Sequence, residues 1–335
     1  MNRNRILALL AFALAIAVGL AACGGSSGPQ QIVDEATLEG VESGELDLSV
    51  RVDAKGPKGG HVEVAVAGPF ESESEDQVPE LDLTASAKGK VQGEAIDFQG
   101  GLTLLSGRRA YVQYEGVEYK VDPFTYGFVR GMAKQGGNGG SSEVTACQKA
   151  VAGLSLGDFV EGASEGGTVD VGGTETTKVS GDLDTGGAIE ALIELTEDPA
   201  CNEQLDAASG SLPSTAQLEK AKREVQGAVK DAHVELYVGD DHIVRRMTAR
   251  ATIEPPGSAG EGVESVDLDV DLTLTGVNEA QTIAAPTRSR PLTNLFLKLG
   301  ISPLELLELL EGRGGLGRGG INGLLEGIGG LGGSQ

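Results

Sequence analysis

Residues 45–53 read ELDLSVRVD, and their alternation decides the fold. Leu46, Leu48, Val50 and Val52 fall on one side of an extended chain, and Asp47, Ser49, Arg51 and Asp53 on the other. Successive strand side chains point to opposite faces, so this stretch has one oily face and one charged face. Such a strand belongs to an antiparallel sheet with one covered face and one wet face. The same period returns in HVEVAVAG, through Val62, Val64 and Val66, and in ELDLTASA, through Leu81 and Leu83. AIDFQGGLTLL follows, and Gly100-Gly101 predicts a bulge or bend within it. Glu115-Gly116, set between AYVQY and VEYKV, predicts a tight hairpin. Gly44 to Val121 therefore reads as one antiparallel sheet. The polar stretches KGPKGG and PFESESEDQVP form its turns.

Asp122-Pro123 stops that sheet and opens a helix, because Pro suits a first helical position with Asp before it. PFTYGFVRGMAKQ, SEVTACQKAVAG, GGAIEALIEL and PSTAQLEKAKREVQGAV read as helices, with ETTKVSGDLD as a strand among them. The last of these helices is the clearest, with Ser214 as cap and Glu/Lys pairs along its surface. The sheet then resumes. HVELYVGDDHIVRRMTARATIE reads as a hairpin around Gly239-Asp240-Asp241. VESVDLDVDLTLTG puts Val266, Leu268, Val270, Leu272 and Leu274 on one face and Asp267, Asp269 and Asp271 on the other, which must lie in water. From Leu292 the text changes. LTNLFLKLGISPLELLELLEG can form one or two short apolar helices, and the Gly/Leu-rich text after it reads as mostly disordered.

Composition sets the class. The chain has 335 residues with 39% hydrophobic, enough for a real core, but aromatics are 4% and Trp is absent, so that core is aliphatic. A net charge of −24 argues against nucleic acid, whose phosphates want Lys and Arg. It argues equally against electrostatic adhesion to anionic head groups.

The N-terminus sets the compartment. MNRNR is basic, and Ile6 to Leu20 is uncharged. As a helix this run is about 22 Å long, short of a bilayer core of ~30 Å, so it suits a secretory signal. Leu20-Ala21-Ala22-Cys23 matches the bacterial lipobox. That match implies diacylglyceryl transfer to the Cys23 thiol and cleavage before it; the plainer alternative is a signal peptide with a chance cysteine. Two acyl chains hold a protein at a membrane stably, at ~0.8 kcal/mol per buried CH₂. The expected organisation is a signal peptide over 1–22, a flexible tether over 23–34, a folded domain over 35–290 and a tail over 291–335. The expected location is the outer face of the bacterial cytoplasmic membrane.

Cys147 and Cys201 remain as an even pair in an oxidising compartment. A disulfide closing that loop contributes about 4 kcal/mol in the chain-entropy model. Metal binding, the rival reading, wants further ligands close by. His61, His233 and His242 share no metal-binding spacing and read as surface or strand-edge residues. There is no Gly-x-Ser-x-Gly elbow and no phosphate loop. The strand carrying Asp267, Asp269 and Asp271 spreads its carboxylates along a flat face, whereas calcium wants a loop that wraps it. The sequence therefore calls for no enzyme, no cofactor and no metal.

TETTKVSGDLD at 174–184, HVELYVGDDHIVRRMTARATIE, and VNEAQTIAAP at 277–286 are together similar to the LppX/LprG-type family of actinobacterial cell-envelope lipoproteins. The likeness is a pattern over roughly residues 35–286 rather than a strict motif. It implies an α+β fold: a curved antiparallel half-barrel packed against a layer of short helices, as in the lipoprotein carrier LolA. It also implies a cavity between the layers that takes an acylated lipid or other apolar ligand. The Cys147–Cys201 pair and the long tail depart from that family. Leu46, Leu48, Val50, Val62, Val64 and Leu83 are the candidate wall of the cavity, and Phe124, Tyr126, Phe128 and Met132 its candidate rim. An ordinary dry core accounts for the same residues. The alternative function is a structural or interaction lipoprotein of the envelope without a ligand; oligomeric state stays open.

Overall fold

The computed structural model describes residues 28–72, 79–91, 93–123, 125–127, 156–187, 201, 227–255 and 262–300. They form a large, open, mostly antiparallel sheet with short helices. The strands are β1 (Ser43–Lys55), β2 (Gly60–Glu71), β3 (Glu80–Val91), β4 (Glu94–Leu105), β5 (Arg109–Tyr114), β6 (Val117–Val121), β7 (Val160–Val171), β8 (Thr174–Leu183), β9 (Val229–Gly239), β10 (Val244–Ile253), β11 (Ser265–Thr275) and β12 (Arg290–Pro291). Helix α1 spans Pro29–Glu35 and α2 spans Leu292–Lys298, and a 3₁₀ turn covers Leu156–Phe159.

The strands lie in the order β12-β6-β5-β4-β3-β2-β1-β11-β10-β9-β8-β7. The first six step outward from β1 to one edge. The chain then reappears at the opposite edge with β7 and returns strand by strand until β11 pairs with β1. β12 alone pairs in parallel, against β6. The seam is regular, with Leu48 opposite Leu272, Val50 opposite Val270 and Val52 opposite Leu268. The alternation read from ELDLSVRVD thus continues across the join between the two halves.

The opposite, polar face carries an ion-pair ladder. Arg51 meets Glu63 at 3.0 Å, Lys55 meets Asp267 at 2.5 Å, Arg250 meets Asp269 at 3.3 Å, and Lys178 meets Glu235 at 2.8 Å. Arg246 grips Asp271 with two hydrogen bonds, at 3.1 and 2.6 Å. Each of the three aspartates of β11 therefore has its own cation on a neighbouring strand. Cross-strand pairs of this kind contribute about 0.2–1 kcal/mol each, so they fix register more than stability. Lys55 and Thr252 hydrogen-bond to Asp267, and Lys178 to Glu235, holding both carboxyls below the usual carboxylate range. A depressed folded-state value makes stability complete above the unfolded carboxylate pKa, about 4, and lost as pH falls through and below it. Urea midpoints measured from pH 7 downward are expected to stay level until about pH 5 and then decline, more shallowly in an Asp267→Asn, Glu235→Gln chain.

Two readings from the sequence change. Gly100 and Gly101 make no bulge: β4 keeps one register against β3, with Ala85 opposite Gly100 and Thr84 opposite Gly101. Both glycines sit at close backbone approaches: a Cβ would lie 3.1 Å from the Gln113 carbonyl oxygen at 100 and 3.0 Å from the Leu83 carbonyl oxygen at 101. Register shifts occur elsewhere, between β9 and β10 at Val244/Arg246 and Thr252/Ile253, and in β7. Its pairing with β8 shifts between Glu161 and Ser164 and again between Glu165 and Thr168, where Gly162 and Gly167 take left-handed φ of 66° and 85°. Bulges at an edge strand discourage pairing with another chain. Finally, residues 29–34, expected within the tether, are α1. Pro29 opens the helix and Val33 is completely buried.

Other expectations meet their structure. Glu115 and Gly116 both take left-handed φ, 48° and 71°, as a two-residue hairpin turn requires. Asp122 caps the helical residues after it by accepting from the Thr125 amide at 2.9 Å. Asp184 caps the start of another helix through the amides of Gly186 and Gly187, at 2.9 and 3.0 Å. Gly227 and Ala228 are helical where PSTAQLEKAKREVQGAV ends. The rest of the segments read as helices lies outside the described residues.

Candidate ligand-binding face

One face of the sheet is apolar from strand to strand. Register places Val179, Leu236, Met247, Leu272, Leu48, Val66, Ala85, Gly100 and Tyr114 in a single row from β8 to β5. The neighbouring row runs Val234, Ala249, Val270, Val50, Val64, Ala87 and Phe98. Such continuity follows from the period of two: once one strand is in register, every partner's oily set lands on the same side.

The two ends of this face are covered differently from its middle. At the β7–β11 end, α1 packs against β7, β8 and the 3₁₀ turn, and its Val33, with Ala36 just after it, joins Val160, Val179, Leu236, Met247 and Leu272 in one buried cluster. Gln30 fixes the helix by donating its side-chain amide to the carbonyls of Gly157 and Val160, each at 3.4 Å. Beyond α1, Thr37 joins the β9–β10 turn. Its amide donates to the His242 carbonyl at 2.9 Å, and its carbonyl accepts from Val244 at 3.0 Å. At the other end α2 sets Leu292 and Leu295 on Tyr114 and Tyr119, with Phe98, Val112, Val117 and Val121 beside them. Lys298 adds an ion pair to Glu115 and stands 5.2 Å from the Tyr114 ring centre. That cation, as the hydrogen-bond donor, keeps the Glu115 carboxyl below its ordinary range.

Between the two helices the face is neither dry nor fully open. No side chain of β2 or β3 is fully buried, and every apolar one is half-buried. The residues here are also small. Ala85, Ala87, Gly89, Gly68 and Gly100 occupy apolar-face positions where strands elsewhere carry Leu, Val or Met. Gly68 has φ 142°, and a Cβ there would lie 2.0 Å from the Asp82 carbonyl oxygen, so nothing larger fits. Leu102, next to Val112 and opposite Leu83, stays 40% exposed on this face.

The candidate wall residues fall together on it. Leu46, Leu48 and Val50 come from β1, Val62 and Val64 from β2, and Leu83 from β3. Val50 belongs to the dry cluster under α1, at 5% exposure, whereas the other five are half-buried. Of the rim candidates, Tyr126 is half-buried, and its amide donates to the Asp122 carbonyl at 2.9 Å. Phe124, Phe128 and Met132 lie outside the described residues, as do Cys23 and Cys147. Cys201 is completely buried. The run of small residues through β3 and the helix α1 were missed from sequence, whereas α2 falls where LTNLFLKLG was read as a short apolar helix. The signal for the former was visible in TASAKG, where alternation persists while side-chain size collapses.

Among the described residues, no three His, Cys, Asp or Glu side chains converge as a metal site. His233 pairs with Asp182 at 3.2 Å and His242 with Glu35 at 3.3 Å, both near the surface. No helix among these residues is long and apolar enough to cross a membrane.

The architecture is that of a large antiparallel sheet with short helices seated on its apolar face. Solved structures similar to it include LprF from Mycobacterium bovis, at 15% identity and TM-score 0.35, covering 78% of this chain and 99% of that one. The Mycobacterium tuberculosis lipoprotein LppX is similar at 13% identity and TM-score 0.28, covering 82% and 99%. A LolA superfamily protein from Nitrosomonas europaea is similar at 11% identity and TM-score 0.17, covering 74% and 94%. LprF and LppX are lipoproteins of the family that the sequence resembles. At these values the likeness assigns no activity. No family model matches the chain, and no curated protein does.

Proposed function

We propose that this chain is an exported lipoprotein, anchored through Cys23 to the outer face of the bacterial cytoplasmic membrane, that carries a lipid or other apolar ligand. The observation that carries the reading is the middle of the apolar face: continuous, floored by alanine and glycine, and half-buried between α1 and α2. In this reading the sheet is a half-barrel, and the segments between β6 and β7 and between β8 and β9 lie across it as the helical layer. Topology supports that layer. β6 and β7 stand near opposite edges, so the chain joining them has the whole width of the sheet to cross. The Cys147–Cys201 disulfide would tie two of these helices together.

The mechanism is passive. An acyl chain replaces water over the alanine floor, gaining about 25 cal/mol per Å² of apolar surface buried. No group has to react. Leu46, Leu48, Val62, Val64 and Leu83 form the wall, and Phe124, Tyr126, Phe128 and Met132 the rim through which the ligand passes. The residues from Cys23 to Gly28 are the leash, since α1 begins at Pro29 and is packed into the domain.

The test uses the mature chain with Cys23→Ser, expressed with its export signal. Organic extraction and mass spectrometry of the purified protein should return lipid near one equivalent. The native chain should sediment with membranes and the Cys23→Ser chain should not. A lipid-free protein that also excludes an apolar dye would overturn the carrier reading and leave an envelope interaction protein.

A further inference from the structure

We infer that the end of the sheet bearing the β1–β2 and β3–β4 hairpins rests on an anionic phospholipid surface through Lys58, Lys88 and Lys90. Charge is divided unevenly along this acidic chain. Residues 54–62 and 83–93 hold four lysines and no carboxylate. The first stretch contains the β1–β2 turn, and the second runs down β3 to the β3–β4 turn. β2 and β3 are neighbours, with His61 opposite Lys90 and Glu63 opposite Lys88, so the two tips stand side by side. The first tip is fixed, because Lys58 donates its amide to the Gly262 carbonyl at 2.9 Å. Lys58, Lys88 and Lys90 are exposed, and none has an ion-pair partner among the described residues. Of the carboxylates nearby, Glu63 is held by Arg51 and Asp267 by Lys55, while Asp53, Glu94 and Asp97 flank the lysines.

The opposite end has the other character. Glu42, Glu45, Asp170, Glu175, Asp240 and Glu279 are all exposed there. Along β1, Glu45 and Asp53 stand roughly 27 Å apart. That is more than three times the screening length of ~8 Å at physiological salt. The far carboxylates are therefore not felt where the lysines act, and the net charge of −24 does not forbid attraction at this one end.

The leash meets the domain at the lysine end. Gln30, at the start of α1, bonds to the Val160 carbonyl. Val160 pairs with Leu183, one residue beyond Asp182. Asp182 heads a row that crosses the sheet through Arg250 and Arg51 to Lys88. α1 then runs away from this end to Thr37, which bridges Ile243 at the acidic end. Gly24–Gly28 span at most roughly 18 Å, so an anchor at Cys23 would hold the lysine end toward the membrane and the acidic end away from it. Three separate ammonium groups on hairpins suit a plane of phosphates. Near such a surface each lysine is worth roughly fivefold in binding, and three roughly a hundredfold. The apolar-face row of Val52, Val62, Gly89 and Ile96 lies between the rows of Lys88 and Lys90. A docked end would set that margin of the floor against lipid. This last consequence rests on the carrier reading; the docking does not.

The experiment holds the mature Cys23→Ser chain on vesicles through an N-terminal hexahistidine tag and a nickel lipid, so that neither acylation nor a bound guest is needed. Lysine acetylation is followed residue by residue by mass spectrometry. On phosphatidylglycerol vesicles, Lys58, Lys88 and Lys90 should react at least about tenfold more slowly than on phosphatidylcholine vesicles, and high salt should remove the difference. Lys120, exposed on β6, should react alike on both. In a Lys88→Glu, Lys90→Glu chain the protection of Lys58 should be lost. Equal rates on the two vesicles overturn the proposal, as does slowing on both, which the leash alone would cause. Protection by added polyglutamate but not by anionic vesicles would assign this end to an acidic protein instead. Lipid extracted from the Lys88→Glu, Lys90→Glu chain should match the parent's, so a failure of docking is distinct from a failure of the carrier reading.

Discussion

Replacing Leu236 by Ala will remove about 2–5 kcal/mol of stability. Leu236 is 1% exposed and sits in the row between Val179 on β8 and Met247 on β10. Val33 of α1 lies in the same cluster. Deleting the isobutyl group forfeits its transfer energy and leaves a cavity whose walls are strands held in register on both sides, so collapse is limited. Urea denaturation of lipid-free protein measures the effect. Val169→Ala, at 37% exposure on the β7 edge, is the control, and a surface change of this kind should stay within about 0.5 kcal/mol. A loss below about 1 kcal/mol at Leu236 would mean that α1 and strands β7–β11 do not close on one another as a dry core. The leash would then run on to residue 36, and the domain would lose its fixed end.

That core was largely written in the alternation. β8 through β11 and β1 through β6 each carry a period of two strong enough to show the strand, its inward face and, through Glu115-Gly116 and Gly239-Asp240-Asp241, its turn. What alternation cannot show is a strand whose period is broken on purpose. β7 carries Gly162 and Gly167 at its two register shifts, and without an unbroken alternation its sequence drew no strand reading. α1 was hidden for another reason. A helix with one fully buried residue takes its stability from the surface it lands on, and PQQIVDE has almost no helical signal of its own. Gly100-Gly101 shows the opposite error, where glycine met a need for space rather than a kink. As for the candidate site, the face of each wall residue followed from sequence. Its dryness did not: Val50 and Val64 are cross-strand neighbours with the same chemistry, yet Val50 is 5% exposed and Val64 half-buried.

The size of the side chains on β3 yields the sharper test of function. Ala87 lies between Val64 on β2 and Phe98 on β4, at the middle of the floor. In the carrier reading, Ala87→Phe fills space that an acyl chain would use. A phenyl ring displaces about two or three CH₂ contacts at ~0.8 kcal/mol each, roughly 2 kcal/mol in all and about thirtyfold in affinity. Extracted lipid per protein should therefore fall steeply while the urea midpoint of stripped protein hardly moves. A packed floor gives the reverse. The ring would then be forced among side chains already in contact, at a cost of about 1–3 kcal/mol, and lipid content would not change. The two outcomes separate because a cavity and a core obey opposite rules: added volume weakens binding in the one and folding in the other. Ala249→Phe, in the same row but within the dry cluster under α1, calibrates the second case in the same sheet. If Ala87→Phe destabilises the chain as much as Ala249→Phe does, the face is core throughout and holds no guest.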